Sequence, residues 1–298
     1  CSKYNNVLVR TNADSANDVM IAKKLGAKGI GLCRTEHMFF NPKRIYEVRK
    51  MIVALNKTDK IKALNKLLKF QTSDFYQIFK AMSPHPVTVR LLDPPLHEFL
   101  PNEKNQIKQL AKDLNVPFNV LEERIESLKE GNPMLGHRGC RLGITFPELT
   151  IMQTKAILGA ANKLNSEGIK AQPEIMIPLV SSSQEFLDQK KIINQTAELL
   201  NKKLKNPIKY LVGTMIELPR ACFMAGEIAK HADFISFGTN DLTQTTFGFS
   251  RDDIGSFLPQ YLKNNILKHD PFSSLDREGV GELIKIAINK AKKVNPKI

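Results

Sequence analysis

Several residue types and patterns are scarce in this chain of 298 residues. It contains no tryptophan, and aromatic residues make up only 7% of it. No apolar run approaches the roughly 18 residues that a membrane-spanning helix requires, so we expect no integral membrane protein. The N-terminus lacks the apolar segment of a secretory signal, and residue 1 is Cys rather than Met, so we do not expect it to be a natural start.

Cysteine is also scarce. The four cysteines are Cys1, Cys33, Cys140 and Cys222, and no two of them form a CxxC pair. Their spacing is typical of neither a zinc site nor a disulfide framework. We therefore expect a protein of a reducing compartment, namely the cytoplasm.

Acidic residues are fewer than basic ones: the chain has 30 Asp and Glu and 44 Lys and Arg, which gives a net charge of +14. Such an excess can indicate nucleic-acid binding. However, the sequence has no zinc-finger spacing and no aromatic-rich RNA-binding run, and its lysines mix with Asn and apolar residues at helical spacing, as in 57–62 and 201–205. We therefore expect solvated helix surfaces and no nucleic-acid partner.

The chain does contain a recurring alternation of short apolar runs and longer amphipathic stretches. The runs are partly β-branched and bounded by Gly, Pro or polar residues, which predicts buried parallel strands. They lie at 7–9, 29–33, 87–92, 133–136, 174–180, 211–216 and 234–237. Amphipathic spacing predicts helices over 14–26, 42–53, 59–82, 120–130, 150–167, 183–202, 219–230 and 279–293.

Alternation of this kind indicates an α/β fold with a parallel sheet. Seven strands favour a (β/α)8 TIM barrel over an open doubly wound sheet, since no glycine-rich phosphate loop follows the first run. We expect one barrel domain over 1–298, with a long helical insertion between the second and third strands. The chain stops where the barrel should close, so we expect it to lack the eighth strand and helix.

Polar groups at the carboxyl ends of barrel strands face the active site. Five of the seven predicted strands end near an Arg or a carboxylate: Arg34, Arg90, Arg138, Glu217 and Asp241. Taken singly, each charge is explained as well by a strand that leaves the core. Taken together, they predict a site for a small phosphorylated and carboxylated substrate, because Arg suits such oxygens and paired carboxylates suit Mg²⁺.

The run 236–241 adds detail to this rim. Gly238 permits close approach of the backbone to an anion, and Asn240 can donate to a phosphoryl group. The alternative is an Asx turn that merely ends the strand.

Five segments resemble one known family closely. They are 29–39, 90–101, 136–143, 213–221 and 234–244, and they include the strings CRTEHMF (33–39) and LLDPPLHEFLP (91–101). They are similar to the C-terminal phosphoenolpyruvate (PEP)/pyruvate-binding domain of the pyruvate, phosphate dikinase family, and the resemblance covers essentially the whole chain. The last two segments are shared with PEP synthase and with Enzyme I of the sugar phosphotransferase system.

The resemblance implies a TIM barrel, a homodimer and a set of site residues. The substrate-binding residues would be Arg34, Arg90, Arg138, Glu217, Gly238, Thr239, Asn240 and Asp241. The arginines would bind the phosphoryl and carboxylate groups. The cofactor would be Mg²⁺, held by Glu217 and Asp241.

The reaction that the resemblance implies is phosphoryl transfer between a phosphohistidine and pyruvate enolate. In the whole enzyme it gives ATP + pyruvate + phosphate = AMP + PEP + diphosphate. The family's acid/base is a cysteine on the eighth strand, in a Gly-Ile-Cys-Gly-Glu context, which we expect beyond residue 298. We therefore expect no catalytic residue within the chain, and substrate binding without turnover by the chain alone.

The other cysteines are weaker candidates for the acid/base. Cys33 should face the helix layer, because side chains alternate along a strand and Arg34 faces the site. Cys140 can point the same way as Arg138, although packing at a strand end explains it as well. Cys222 falls in a predicted helix and is expected in the core.

Among the six histidines, His97 and His137 lie near the predicted rim and can hydrogen-bond a substrate. None has the Thr-Ser-His context of the family's phosphocarrier. The phosphohistidine and ATP-binding domains would therefore be partners rather than parts of this sequence.

Three other functions stay open. The first is a non-catalytic remnant or dimerisation module, and the second is a PEP-binding domain like that of PEP synthase or Enzyme I. The third is an Mg²⁺-dependent aldolase or lyase on a similar barrel, which leaves Arg34 and Arg138 together unexplained. An excerpt, a split product and a decaying remnant all fit these residues.

Overall fold

The strands in the computed structural model of the chain are short and parallel. The structure describes residues 7–202, 204 and 206–298, so the expectations that concern residues 1–6, including Cys1, lie outside this part. The strands are β1 (Thr11–Asn12), β2 (Ile30–Arg34), β3 (Pro86–Arg90), β4 (Gln172–Ile177), β5 (Leu211–Ile216) and β6 (Ile235–Phe237).

The chain divides into two compact units. The described residues up to Met176, together with 189–211, form the first unit, and 177–188 with 212–298 form the second. In the first unit β1, β2, β3 and β4 pair in that order, and in the second β5 pairs with β6; each of these pairs is parallel. Parallel strands in chain order, with helices between them, are the pattern of a (β/α)8 barrel, so the predicted fold class is confirmed. The single barrel domain over 1–298 stays a prediction.

Helices cover most of the remaining described residues. The α-helices are α1 (Ala16–Lys24), α2 (Pro42–Val53), α3 (Lys57–Met82), α4 (Lys104–Leu114), α5 (Phe118–Ser127), α6 (Gly139–Thr145), α7 (Pro147–Ser166), α8 (Ser183–Asn201), α9 (Pro219–Ala229), α10 (Thr239–Phe247), α11 (Leu258–Lys263) and α12 (Val280–Val294). Short 3₁₀ helices lie at Thr35–Phe39, Leu96–Phe99, Pro133–Leu135 and Ile254–Ser256. Eight of the α-helices fall where amphipathic spacing predicts them, while α4, α6, α10 and α11 were not predicted.

Local side chains set where several helices begin. The Ser15 side chain accepts a hydrogen bond from Asp18 N, and Asp18 in turn accepts from Ser15 N, so a capping box starts α1. Asn41 caps α2, with Pro42 in its first turn, and Asn56 caps α3 through Asp59 N. The Asn41 cap thus sets where α2, the α-helix that follows β2, begins.

The long helical insertion between β2 and β3 is confirmed, and a longer one separates β3 from β4. The insertions carry much of the first unit's core, in which aromatic side chains such as Phe39 and Phe99 pack with Met51, Leu67 and Leu121. All five of these side chains are at most 2% exposed. Burial of this kind is the main stabilising term in folding, so the insertion is part of the folded core and not an appendage.

The second unit pairs β5 with β6 and also contains α9, α10, α11 and α12. The Asp233 side chain accepts from Val212 N at 2.7 Å and so fixes the start of β5 against the turn before β6. Helix α12 is tied to α9 by Lys290 Nζ, which donates to Phe223 O at 2.9 Å, and by Asn295, which donates to Ala229 O at 3.4 Å. These contacts hold the start of β5 and join α12 to α9.

The prediction of a first strand at 7–9 is wrong. Residues Val7, Leu8 and Val9 are 70%, 70% and 52% exposed, and the strand is instead Thr11–Asn12, which pairs with Ile30 and Leu32 of β2. β-branched composition favours a strand locally, but the register with the neighbouring strand decides which residues form it.

The prediction of a strand at 133–136 is also wrong. Pro133–Leu135 is a 3₁₀ helix, and the Asn132 side chain accepts from Leu135 N. Pro133 has no backbone N–H to give to a sheet, and Asn at the preceding position favours a turn. The described residues therefore hold six strands where seven were predicted, and Arg138 does not follow a strand.

No helix within the described ranges combines the length and the apolar character needed to cross a membrane.

Candidate functional site

Arg34 and Arg90 lie side by side at the ends of neighbouring strands in the first unit. Their Cα atoms are partners in the register of β2 and β3. The backbone N–H of Arg34 donates to Asp14 Oδ1 at 2.7 Å, and its guanidinium donates to Asp14 Oδ2 from Nη2 at 2.6 Å and from Nε at 3.0 Å. Asp14 therefore fixes both the strand end and the direction of the Arg34 side chain.

Arg90 is held by two carboxylates. Its Nη2 donates to Glu36 Oε1, and its Nη1 lies 3.0 Å from Asp93 Oδ2. Glu36 lies on the 3₁₀ helix that follows β2, and Asp93 lies on the loop that follows β3. All three side chains are at most 11% exposed, so these charges are paired where water is largely excluded.

Arg138 reaches the same place from the loop before α6. Its Nη2 and Nε donate to Asp93 at 2.7 and 3.3 Å, and the next residue, Gly139, donates its N–H to Asp93 O at 2.9 Å. The rim position predicted for Arg138 thus comes from tertiary contacts with Asp93 and not from a strand. We call Arg34, Arg90 and Arg138, with Asp14, Glu36 and Asp93, the arginine cluster.

The arginine cluster holds three guanidinium groups and three carboxylates. Each guanidinium carries N–H donors in a planar fork, a geometry that suits the oxygens of carboxylate and phosphate groups. The Arg34 side chain is 37% exposed, which leaves part of its fork open to a ligand. The acids fix the arginines in place before any ligand arrives, which lowers the entropic cost of binding.

Three buried polar atoms near this cluster have no hydrogen-bond partner among the described residues: Thr35 Oγ1, Glu36 Oε2 and His97 Nδ1. Buried polar atoms are nearly always satisfied, so such atoms indicate a place where water or a ligand completes the network. Thr35 and Glu36 follow Arg34 directly in the chain. This part of the rim is therefore suited to receive a polar molecule.

In the second unit, Glu217 follows β5 and is 1% exposed. Its Oε1 accepts from Leu179 N at 2.6 Å. The Leu179 backbone has φ of +61°, a left-handed conformation that a non-glycine residue rarely adopts. Backbone strain at such a position is often found beside functional groups, and here it presents an N–H to the carboxylate.

Gly238 follows β6, beside Glu217, and donates its N–H to Ile216 O at 3.1 Å. A Cβ at this position would collide with Glu217 Oε2 and would lie 2.8 Å from Glu217 Cβ and 2.9 Å from Met215 Cε. Glycine at 238 is therefore required by the space that the Glu217 carboxylate occupies.

Thr239, Asn240 and Asp241 form the first turn of α10 and do not extend β6. The Asn240 side chain accepts from Arg251 Nη1 at 2.8 Å, and Asp241 Oδ1 accepts from Gln244 Nε2 at 3.4 Å. The alternative of a simple Asx turn is wrong, since a nine-residue helix begins here. The positive end of a helix attracts anions and carboxylates, which suits both an acid at 241 and an anionic ligand.

Comparisons with known proteins show the family of the chain. A family model described as PEP-utilising enzyme, PEP-binding domain, matches residues 2–295. The chain belongs to this family of PEP-utilising enzymes. The match includes both the arginine cluster and the residues around Glu217 and Gly238.

Curated relatives of the chain include pyruvate, phosphate dikinases. The chain is 53% identical over 292 residues to pyruvate, phosphate dikinase 1, chloroplastic, of Arabidopsis thaliana, which is 97% of this chain and 30% of that protein. It is 53% identical over 286 residues to the Giardia intestinalis protein (96% and 32%) and 48% identical over 295 residues to the Clostridium symbiosum protein (99% and 34%). The chain thus spans about a third of the length of the curated relatives it matches.

Each described cysteine of the chain is buried and forms no disulfide with another described residue. Cys33, Cys140 and Cys222 are 0%, 1% and 0% exposed. Burial raises the pKa of the Cys33 thiol far above its ordinary value, and it raises the pKa of Cys222 to about 11. A thiol with a raised pKa stays protonated near neutral pH and is a poor nucleophile.

Two histidines near the rim have defined neighbours. His37 Nδ1 lies 3.3 Å from Asp14 Oδ2, the same oxygen that binds Arg34. His137 lies on the loop that precedes Arg138, and its Nε2 is 2.5 Å from Thr145 Oγ1. Sequence reasoning missed Asp14 as a site residue, since nothing in residues 10–16 indicates that this acid binds Arg34.

The described residues contain no group of three or more His, Cys, Asp and Glu side chains that could hold a metal ion. A site with two carboxylates still fits Mg²⁺, which is commonly bound through one or two carboxylates and takes its other ligands from water and substrate. The space that Gly238 leaves for the Glu217 carboxylate supports this fit.

Proposed function

We propose that this chain is the PEP/pyruvate-binding domain of a pyruvate, phosphate dikinase, and that the arginine cluster binds the anionic groups of the substrate. The observation that carries the proposal is the joint engagement of Arg90 and Arg138 by Asp93, at 3.0 and 2.7 Å. The match to a PEP-binding family and to curated dikinases supports it. The whole reaction would be ATP + pyruvate + phosphate = AMP + PEP + diphosphate.

In this proposal the arginines neutralise charge as a phosphoryl group moves between a phosphohistidine and pyruvate enolate. A loose transition state spreads its charge over the phosphoryl oxygens, so fixed guanidinium donors stabilise it more than mobile ones would. Asp14, Glu36 and Asp93 act by positioning: each fixes an arginine through a hydrogen bond or ion pair.

Glu217 and Asp241 would hold Mg²⁺, and Gly238, Thr239 and Asn240 would line the substrate pocket. When bound, Mg²⁺ supplies Lewis-acid stabilisation of an enolate oxygen. Glu217 is fixed for this task because Leu179 N donates to one of its oxygens. Asp241, in the first turn of α10, is held by Gln244.

We further propose that the acid/base cysteine and the phosphohistidine come from segments other than these 298 residues. The burial of Cys33, Cys140 and Cys222 supports this, because a proton donor to a substrate carbon must reach that substrate. The chain alone is then expected to bind substrate without turning it over. The absence of disulfides among the described cysteines also supports a reducing compartment, the cytoplasm, and the resemblance supports a homodimer.

Calorimetric titration with oxalate, a planar dianion that mimics pyruvate enolate, tests this function. We expect binding with Mg²⁺ and none in EDTA, and we expect Glu217→Gln or Asp241→Asn to abolish the dependence on Mg²⁺. The matched control is Glu227→Gln, an exposed acid of the same unit that pairs with Lys230. Oxalate binding that is the same with and without Mg²⁺, or is unchanged in both site variants, would contradict the proposal.

A further inference from the structure

A cavity lies among the helices of the first unit. Its volume is about 630 Å³, which is within the range of sites for small organic ligands. Its wall is formed by side chains from α2, α3, α5 and α6 and by the loop through 129–137. Apart from His137, none of its lining residues has a role in the proposed function.

One side of this cavity is apolar. Met51, Ile52, Leu142 and Phe146 line it, and each is at most 5% exposed overall. A surface of this kind favours a ligand with an apolar body, since burial of apolar area releases water from both partners. An inorganic anion alone would gain nothing from it.

Two cations, Lys60 and Arg124, line the same cavity and make part of its wall positively charged. In the part of the chain that the structure describes, no carboxylate forms an ion pair with either of them. Lys60 Nζ instead lies 3.5 Å from the centroid of the Phe146 ring, and the Arg124 side chain is exposed towards solvent. The other basic side chain of the wall, Lys129, is already paired with Glu126 at 2.6 Å.

Lys60 lies close enough to Arg124 to feel its charge. Burial is the main cause that lowers the pKa of the Lys60 ammonium; the charge of Glu148 raises this pKa, and the smaller effect of Arg124 lowers it. The one acid of the wall, Glu130, is engaged because its Oε2 accepts from His137 N at 2.8 Å. An anion between Lys60 and Arg124 would therefore pair with both of these cations of the wall.

We propose that this cavity is a binding site for a small organic anion with an apolar body, such as a phosphate ester or carboxylate of a ring compound. The anionic group binds between Lys60 and Arg124, and the apolar body packs on Met51, Leu142 and Phe146. The site is distinct from the arginine cluster and does not depend on the proposed function.

The test uses phenyl phosphate as the probe and the methyl resonance of Met51 as the reporter, in the full chain labelled with ¹³C-methyl methionine. Met51→Leu identifies the resonance. We expect a saturable shift with phenyl phosphate, and no saturable shift with inorganic phosphate or with benzyl alcohol at the same concentrations. We expect the double variant Lys60→Gln, Arg124→Gln to weaken binding about tenfold or more, because each cation contributes a charge-assisted hydrogen bond.

The matched control is Lys62→Gln, which removes a cation from the same helix. The Lys62 ammonium pairs with Asp59 at 3.1 Å and does not line this cavity. This variant should leave the affinity unchanged. The methyl resonance of Met82, which is buried at the end of α3 in the first unit and does not line the cavity, reports whether each variant is folded. The proposal is overturned by the absence of a saturable Met51 shift, by equal affinity in the double variant, or by equal binding of inorganic phosphate.

Discussion

Both carboxylate oxygens of Asp93 lie within hydrogen-bonding distance of Arg138, at 2.7 Å from Nη2 and 3.3 Å from Nε. The same carboxylate binds Arg90, so one buried acid sets the spacing between two arginines that are 48 positions apart in the sequence. The arginines therefore act as a fixed pair of donors, and their geometry is set before a ligand binds.

Replacement of Asp93 should separate this pair. Asp93→Ala leaves two buried guanidinium groups without their shared acid, which is expected to lower the free energy of unfolding by about 3–5 kcal/mol. Urea unfolding followed by circular dichroism measures the loss. Asp93→Asn keeps the shape and some acceptors, so it should lose less stability yet still weaken oxalate binding.

An exposed pair provides the control for this prediction. Glu227→Gln removes an ion pair with Lys230 whose two side chains are about half exposed, and exposed pairs contribute little. The unfolding midpoint of that variant should stay within error of the parent. If Asp93→Ala is no less stable than Glu227→Gln, Asp93 does not hold the arginines together.

Gly238 should not tolerate a side chain. Gly238→Ala places a methyl group against the Glu217 carboxylate and 2.9 Å from Met215 Cε, which is expected to cost about 1–3 kcal/mol of stability through overpacking. Mg²⁺-dependent oxalate binding should fall with it, because Glu217 must move. Thermal unfolding and calorimetry measure the two effects.

Gly255→Ala is the matched variant for this position. It lies in the same unit, and a Cβ there would meet no atom within 4 Å. It should therefore leave both stability and binding unchanged. A similar response from the two variants would show that the space beside Glu217 is not what requires glycine.

Gln153 is expected to position Asp93 through the backbone. Its Oε1 accepts from Leu92 N at 2.8 Å, and its Nε2 donates to Gln71 Oε1 at 3.4 Å, with both glutamines at most 1% exposed. Gln153→Met leaves the buried Leu92 N–H without an acceptor, which should cost about 1–3 kcal/mol. Hydrogen exchange measures the effect directly, and the Leu92 amide should exchange more slowly in the parent than in Gln153→Met.

The exposed Gln106, whose side chain donates to Glu103 Oε2, serves as the comparison. Gln106→Met should have no effect on stability or on Leu92 exchange. Unchanged exchange of Leu92 in Gln153→Met would remove Gln153 from the account of the site.

Alkaline pH should destabilise the protein partly through Cys222. The folded pKa of this thiol is about 11, above its ordinary value of 9.0, because burial disfavours the thiolate. Folding thus favours the protonated thiol. Its stabilising contribution is fully present below pH 9 and is lost as the pH rises from about 9 to about 11.

Urea unfolding of the parent and of Cys222→Ala at pH 8 and at pH 10.5 isolates this group, since the titration of lysines and tyrosines is common to both proteins. The stability of the parent should fall more than that of the variant between these values. Equal falls would show that Cys222 has the same pKa in the folded and unfolded states.

Elements fixed by local side chains were predictable from the sequence. The bounds of α2 match the prediction and those of α3 and α8 lie within two residues of it, because apolar spacing marks the buried face and Asn caps start α2 and α3. The two wrong strands failed for the opposite reason. At 7–9 the register with β2 decides, and at 133–136 a proline and a capping asparagine override the apolar composition.

Some of the site residues were also predictable from the sequence and others were not. Arg34 and Arg90 were predictable as neighbours, because both end a parallel strand and their Cα atoms share a register. Asp14 was not, since its contact with Arg34 depends on the loop between β1 and α1. The place of Arg138 was inferred from a strand that does not exist, and it is set by Asp93 and Gly139.

The central claim is that Arg90 and Arg138, fixed by Asp93, bind the anionic part of an enolpyruvate-like substrate. Calorimetry with Mg²⁺ and oxalate on Arg138→Met is the decisive measurement. Arg141→Met is the control, because among the described residues Arg141 Nη1 donates to the carbonyl oxygens of Leu135 and Gly136 and to no acid. We expect at least a tenfold loss of affinity in Arg138→Met and little change in Arg141→Met, because a charge-assisted hydrogen bond to the ligand is lost in the first alone. Equal affinity in Arg138→Met and the parent, with both proteins folded, would contradict it.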